Sequence, residues 1–280
     1  MSTTTKKAVA TTNTPDWADQ LASAAGVGLE DVRPDDLAMP MFRLLQSLSP
    51  ETKKSDSAYV QGASEGQWLD TVGRAVYDSI LFVPARYVTH YVEWKTRKDG
   101  GGLVANHGSD RSVLNNCTRN PETGRDTTPE GHEIVPTATW YGIVVSGTVD
   151  GKEVPLNKQA VIMLAGTQQK VSRKWVSDAA SLKLQNPKTG QLFTPPLCSM
   201  SYKLSSVPTK NDQGSWSLAA FERAGWVLDL PMGQELFSSA MAFAEVARDM
   251  QPQAHLTDET QQVRAIANNA NTTADDDIPF

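Results

Sequence analysis

Six residues, Asp275-Asp276-Asp277-Ile278-Pro279-Phe280, set three carboxylates against a short apolar hook that ends on the α-carboxylate of Phe280. The segment has no helical or strand period, and Pro279 removes a backbone donor while restraining Ile278. What remains is recognition chemistry. Phe280 can fill an apolar pocket, its carboxylate can be captured by Arg or backbone N–H groups, and the aspartates can steer the tail to a basic surface. A solubility tail would use the aspartates, but it gains nothing from Ile278 and Phe280.

A different chemistry is written in Arg86-Tyr87-Val88-Thr89-His90-Tyr91-Val92-Glu93-Trp94-Lys95-Thr96-Arg97-Lys98. Holding a single nucleic-acid strand needs positive charge along the phosphates and aromatic faces on which bases stack. On a strand, Tyr87, Thr89, Tyr91, Glu93 and Lys95 share one face, while Arg86, Val88, His90, Val92 and Trp94 share the other. The face with Tyr87, Tyr91 and Lys95 is the better platform, and Arg86, Arg97 and Lys98 add charge that can meet phosphate. The same tyrosines would equally serve as packing partners in a half-buried sheet. A second cluster is Lys170, Arg173, Lys174 and Trp175. Lys170 and Lys174 lie four apart on a helix and can meet one phosphate track; the competing reading is a solvated face with Trp175 in the core. Tyr202-Lys203, Trp216 and Trp140-Tyr141 are weaker candidates.

Catalytic signatures are absent: no Gly-x-Ser-x-Gly, no His-Glu-x-x-His and no phosphate-binding Gly-x-x-x-x-Gly-Lys. His107, Cys117, His132 and Cys198 lack a Cys-x-x-Cys pair to anchor zinc. Glu93-Trp94-Lys95, downstream of Pro34-Asp35, is similar to the Pro-Asp…Glu-x-Lys pattern of metal-dependent nucleases, in which carboxylates hold magnesium and Lys orients the water. Glu-x-Lys arises readily by chance, however, and Asp35 belongs to a different segment. The expectation is therefore no enzyme, no cofactor and no metal.

The closing Asp275–Phe280 hexapeptide resembles the protein-interaction tip of bacterial single-stranded DNA-binding proteins. The resemblance implies that this tip recruits replication, recombination and repair enzymes to coated DNA. It covers six residues and is silent about the fold of the rest. The core offers no residue-level match to those proteins, so their tetrameric assembly is not carried over and self-association stays open. The texture Asp35-Asp36-Leu37-x-x-Pro40…Leu44-x-Gln46-x-Leu48-Ser49-Pro50 resembles bacteriophage proteins.

Elements must position these groups. Segments 75–84, 86–95, 137–149, 159–164, 197–204 and 216–221 are rich in Val, Ile, Tyr, Phe and Trp and read as strands. Pro40 makes 37–48 a short extended piece or edge strand. Helical periods appear at 15–25 and 171–184, and most clearly at 233–250, where Leu236, Phe237, Ala240, Met241, Ala244 and Ala247 line one side. The polar stretch 106–133 is a mobile or a binding loop. The expected fold class is mainly β with a few helices: an OB-like (oligonucleotide-binding) barrel core with flexible N- and C-terminal tails. Two helices against an antiparallel sheet is the competing arrangement. Residues 1–35 form a lead and short helix, 36–250 the DNA-binding core, and 251–280 a flexible acidic tail.

The 280 residues carry a net charge of −6, distributed as −4 over 1–80, +6 over 81–210 and −8 over 211–280. A basic centre between acidic ends suits a core that meets phosphate and a tail that meets proteins. Two cysteines imply no disulfide framework, and no run is long enough for a membrane span, so a bacterial host cytoplasm is the expected location. The sequence thus predicts a phage-encoded, non-enzymatic protein that binds single-stranded DNA without sequence preference and recruits host or phage enzymes through its tip. Two alternatives stay open: an adaptor or decoy that engages host DNA-metabolism proteins without binding DNA, and a metal-dependent nuclease.

Overall fold

The computed structural model describes residues 17–31, 38–96, 100–121, 124–211, 214–248 and 250. The chain divides into two units, residues 1–38 and 39–280. In the first, helix α1 (Trp17–Ser23) leaves Trp17 and Leu21 exposed.

In the second unit, β1 (Phe42–Leu44), β2 (Trp68–Asp70) and β3 (Ala75–Tyr77) form a small antiparallel sheet. Next come β4 (Ser79–Trp94), β5 (Leu103–Asn106), β6 (Thr118–Arg119), β7 (Asp126–Thr127), β8 (Glu133–Val149) and β9 (Lys152–Ala165). They are followed by α2 (Gln168–Ser181), the short hairpin β10 (Leu184–Gln185) and β11 (Leu192–Phe193), the long hairpin β12 (Met200–Asn211) and β13 (Gly214–Trp226), and α3 (Gly233–Val246). The large sheet runs β13-β12-β4-β8-β7-β6, with β9 added beside β8 and β5 beside β4. The meander β4–β8–β9 thus leads through α2 into a hairpin that pairs back on the start of β4, Tyr202 opposite Phe82. The result is a mainly β fold whose sheet curls into a half-barrel, as expected of an OB-like core. Among the described residues, β9 and β13 are not paired; α2 and β1 each touch both strands and fill the gap.

The curl has local causes. A bulge at Ala85, between Pro84 and Arg86, bends β4, and one at Val145, between Val144 and Ser146, bends β8. Gly142 has no side chain where a Cβ would meet the Val83 carbonyl oxygen at 2.3 Å and the Phe82 ring at 2.5 Å, which lets the sheet fold tightly there.

The concave face holds the main core. Trp175 of α2 stacks on Trp140 with ring centroids 3.9 Å apart, and Phe221 and Tyr202 lie 5.7 and 5.3 Å from it. On the convex face, Leu236, Ala240 and Phe243 of α3, with Ala247 just past its end, pack on Val83, Tyr141, Ile143 and Val161. That face of α3 is rotated from the expected one: Phe243 is inside and Met241 is exposed. Helix α2 differs more. It starts at Gln168, and its buried face includes Gln168 and Ser172. Gln168 donates to the Ser217 carbonyl (2.8 Å) and accepts from the Ala219 N–H (2.8 Å), while Ser172 Oγ accepts from the Trp140 indole (2.9 Å). Buried polar groups of this kind need such partners. Among the described residues, no helix is long and apolar enough to cross a membrane.

Candidate nucleic-acid interface

Alternation along β4 turns Tyr87, Thr89 and Tyr91 to the concave face, opposite Trp140, Ala138 and Pro136 of β8. Tyr87 leans on Trp140 at 4.8 Å, and the Tyr87 and Thr89 hydroxyls share a 3.1 Å hydrogen bond. Beyond Tyr87 the concave face is no longer filled by core side chains. The tyrosines are half-buried and line a cleft of about 330 Å³ together with Pro136 and Ala138. Helix α2 contributes Gln169, whose amide donates to the Pro136 carbonyl, and Arg173, which donates to Gln169 Oε1 at 3.4 Å. The 3-10 turn Arg111–Asn116 contributes Arg111 and Leu114, and β7 contributes Asp126, paired with Arg119 at 3.5 Å.

Two clusters that are separate in the sequence therefore share one cleft. Tyr87 and Tyr91 come from the first, Arg173 from the second. Lys170 and Lys174 are exposed on α2, and Lys95 is exposed just past the end of β4. Trp175 is placed otherwise: at 1 % exposure it is a core residue, and no base can reach its faces without opening the hydrophobic centre. Arg86 sits opposite Tyr141 on the convex face, away from the cleft, and its charge adds to the burial that lowers the His90 imidazole. Arg97, Lys98, and the tip residues Asp275, Asp276, Asp277, Ile278, Pro279 and Phe280 lie outside the described residues. The weaker candidates Trp140, Tyr141, Tyr202 and Trp216 are buried.

Arg111, Gln169 and Asp126 were missed. Arg111 and Asp126 sit in the polar stretch flagged as a binding loop, yet nothing local marks which residues of it turn inward. Gln169 had a readable signal, four residues before Arg173 on one helix face.

Next to the cleft, Glu93 ends the concave stripe of β4. Its two carboxylate oxygens each bond one imidazole: His107 Nε2 at 2.7 Å and His132 Nδ1 at 2.7 Å. Burial pushes the Glu93 carboxyl up, but the hydrogen bonds and charge of His132 and His107 outweigh it and hold it below the usual range. Two of the four residues weighed as zinc ligands thus meet across a carboxylate. Cys198 lies apart in the convex-face core, where burial pushes its thiol up to about 11. Among the described residues, no three His, Cys, Asp and Glu side chains are grouped to hold a metal ion, and Asp35 of the nuclease pattern is not described.

A family model described as Pam3 phage gp34-like protein matches residues 5–252. No curated protein and no solved structure matches the chain.

Proposed function

Since the chain belongs to the Pam3 phage gp34-like family, we propose that it is a phage single-stranded DNA-binding protein whose acidic tip recruits enzymes of DNA metabolism. The observation that supports this reading is the cleft, where two half-buried tyrosines share one space with two guanidinium groups, Arg111 and Arg173. Stacking surface beside phosphate-binding charge is what a sequence-tolerant single-strand site requires. The cleft's volume lies at the lower end for ligand pockets, so it takes about one nucleotide. The strand continues over exposed Lys95, Lys170 and Lys174. In a duplex the bases are already stacked and cannot offer a face to Tyr87 or Tyr91, so duplex is discriminated against.

The tip, Asp275 to Phe280, supports the recruiting role through its resemblance to the bacterial tips. A gel-shift with single- and double-stranded oligonucleotides, with and without magnesium, tests the reading. The expected result is a shift of the single strand alone, weakened by salt and with no loss of substrate. No shift of either, combined with capture of host enzymes that is lost on deleting residues 275–280, would put the adaptor reading in its place. Magnesium-dependent degradation abolished by Glu93→Ala would install the nuclease instead.

A further inference from the structure

The His107, Glu93 and His132 side chains that form this arrangement are 30 %, 12 % and 22 % exposed, so it sits at the surface and not in the core. Its position in the chain is more telling. His107 and His132 bracket the excursion between β5 and β8, and that excursion carries Arg111, Leu114 and Asp126 to the cleft. One carboxylate on β4 therefore ties down both ends of the segment that supplies these three lining residues. Main-chain bonds help at one end, where Tyr91 and His107 exchange bonds with their neighbours (Tyr91 N–H to Gly108 O, 2.8 Å; His107 N–H to Tyr91 O, 2.9 Å). At the other end, Arg125 pairs with Glu133.

We propose that Glu93 is a positioning residue for nucleic-acid binding: a clasp on His107 and His132 that sets Arg111 and Asp126 against the cleft floor. The clasp rests on the single-strand reading for its ligand, though not for its structure. Each imidazole meets one carboxylate oxygen of Glu93 at 2.7 Å, so the clasp stands on two side-chain hydrogen bonds. Other charges face the same spot: Asp110, whose carboxyl is held low chiefly by hydrogen bonds from Ser112 and least by His107, and Asp126 and Glu130, which with Glu93 add to the burial that pushes the Cys117 thiol up. Glu93, with its carboxyl held low, is ionised at neutral pH and loses its contribution only as pH falls through that depressed value.

Two measurements on the full chain test the clasp. The first needs no DNA: backbone hydrogen exchange of residues 103–132, wild type against Glu93→Gln. Faster exchange of this segment in the variant is expected. The second is the affinity for a fluorescein-labelled oligothymidylate. Glu93→Gln should bind about fivefold more weakly than wild type, the loss fitting a partly exposed charge pair. The opposite sign overturns the proposal. If the cluster acts only through its field, removing the Glu93 negative charge strengthens binding. Unchanged exchange in the variant overturns it as well. If exchange responds as expected but no oligonucleotide binds, the clasp stands and the single-strand reading falls.

Discussion

Trp175 separates a stacking platform from a core residue, and its two substitutions give opposite patterns under the two assignments. At 1 % exposure the indole removes about 200 Å² from water, which at about 25 cal/mol per Å² is about 5 kcal/mol. Its Nε1 has no hydrogen-bond partner among the described residues, a penalty of about 1–3 kcal/mol that reduces the net contribution. Trp175→Ala is therefore expected to destabilise the fold by about 3 kcal/mol, at the lower end for truncating a buried aromatic. Trp175→Phe keeps a ring against Trp140 and Phe221 and drops the unpaired N–H, so its cost should be about 1 kcal/mol. Urea denaturation followed by circular dichroism gives both values. Anisotropy of a labelled oligothymidylate, measured where each variant is folded, gives the affinity. Trp175→Phe should bind within about twofold of wild type. Stability unchanged in Trp175→Phe together with lost oligonucleotide binding would refute the assignment and return Trp175 to the binding face.

Tyr91→Ala should leave the urea midpoint nearly unchanged, because Tyr91 is half-buried over the cleft, and should weaken oligonucleotide binding by about 1–3 kcal/mol, the worth of one stacked base. Arg111→Ala and Arg173→Ala should each lower the slope of log K against log salt by about 0.7, one phosphate contact apiece; an unchanged slope places the phosphates elsewhere. Deleting residues 271–280 removes three aspartates and should tighten binding at low salt but not at high salt, as titration at both ionic strengths would reveal.

The strands were legible because their side chains declare them: β4, β8 and β12 carry runs of Val, Ile, Tyr and Trp, and alternation correctly put Tyr87 and Tyr91 on one face and Arg86 on the other. The buried face of α2 was not, because Gln168 and Ser172 are core residues only by virtue of Ser217, Ala219 and Trp140, partners 30 or more residues away. The same reason hid half the cleft. That Arg173 meets Tyr91 depends on α2 lying in the opening of the half-barrel, and that Arg111 joins them depends on where the 106–133 stretch folds. Neither placement leaves a periodic trace. The Glu93 clasp was half visible: its residues had been weighed as metal ligands and as a nuclease carboxylate, and pairing across the sheet edge turned them into partners of one another.

Ultraviolet crosslinking of a photoreactive oligothymidylate to the full chain, followed by mass spectrometry of the attached peptides, tests the central claim most directly. Crosslinks on Tyr87 or Tyr91, competed away by unlabelled single strand and not by duplex, are the predicted result. Crosslinks confined to other faces of the half-barrel, or equal competition by duplex, would contradict it.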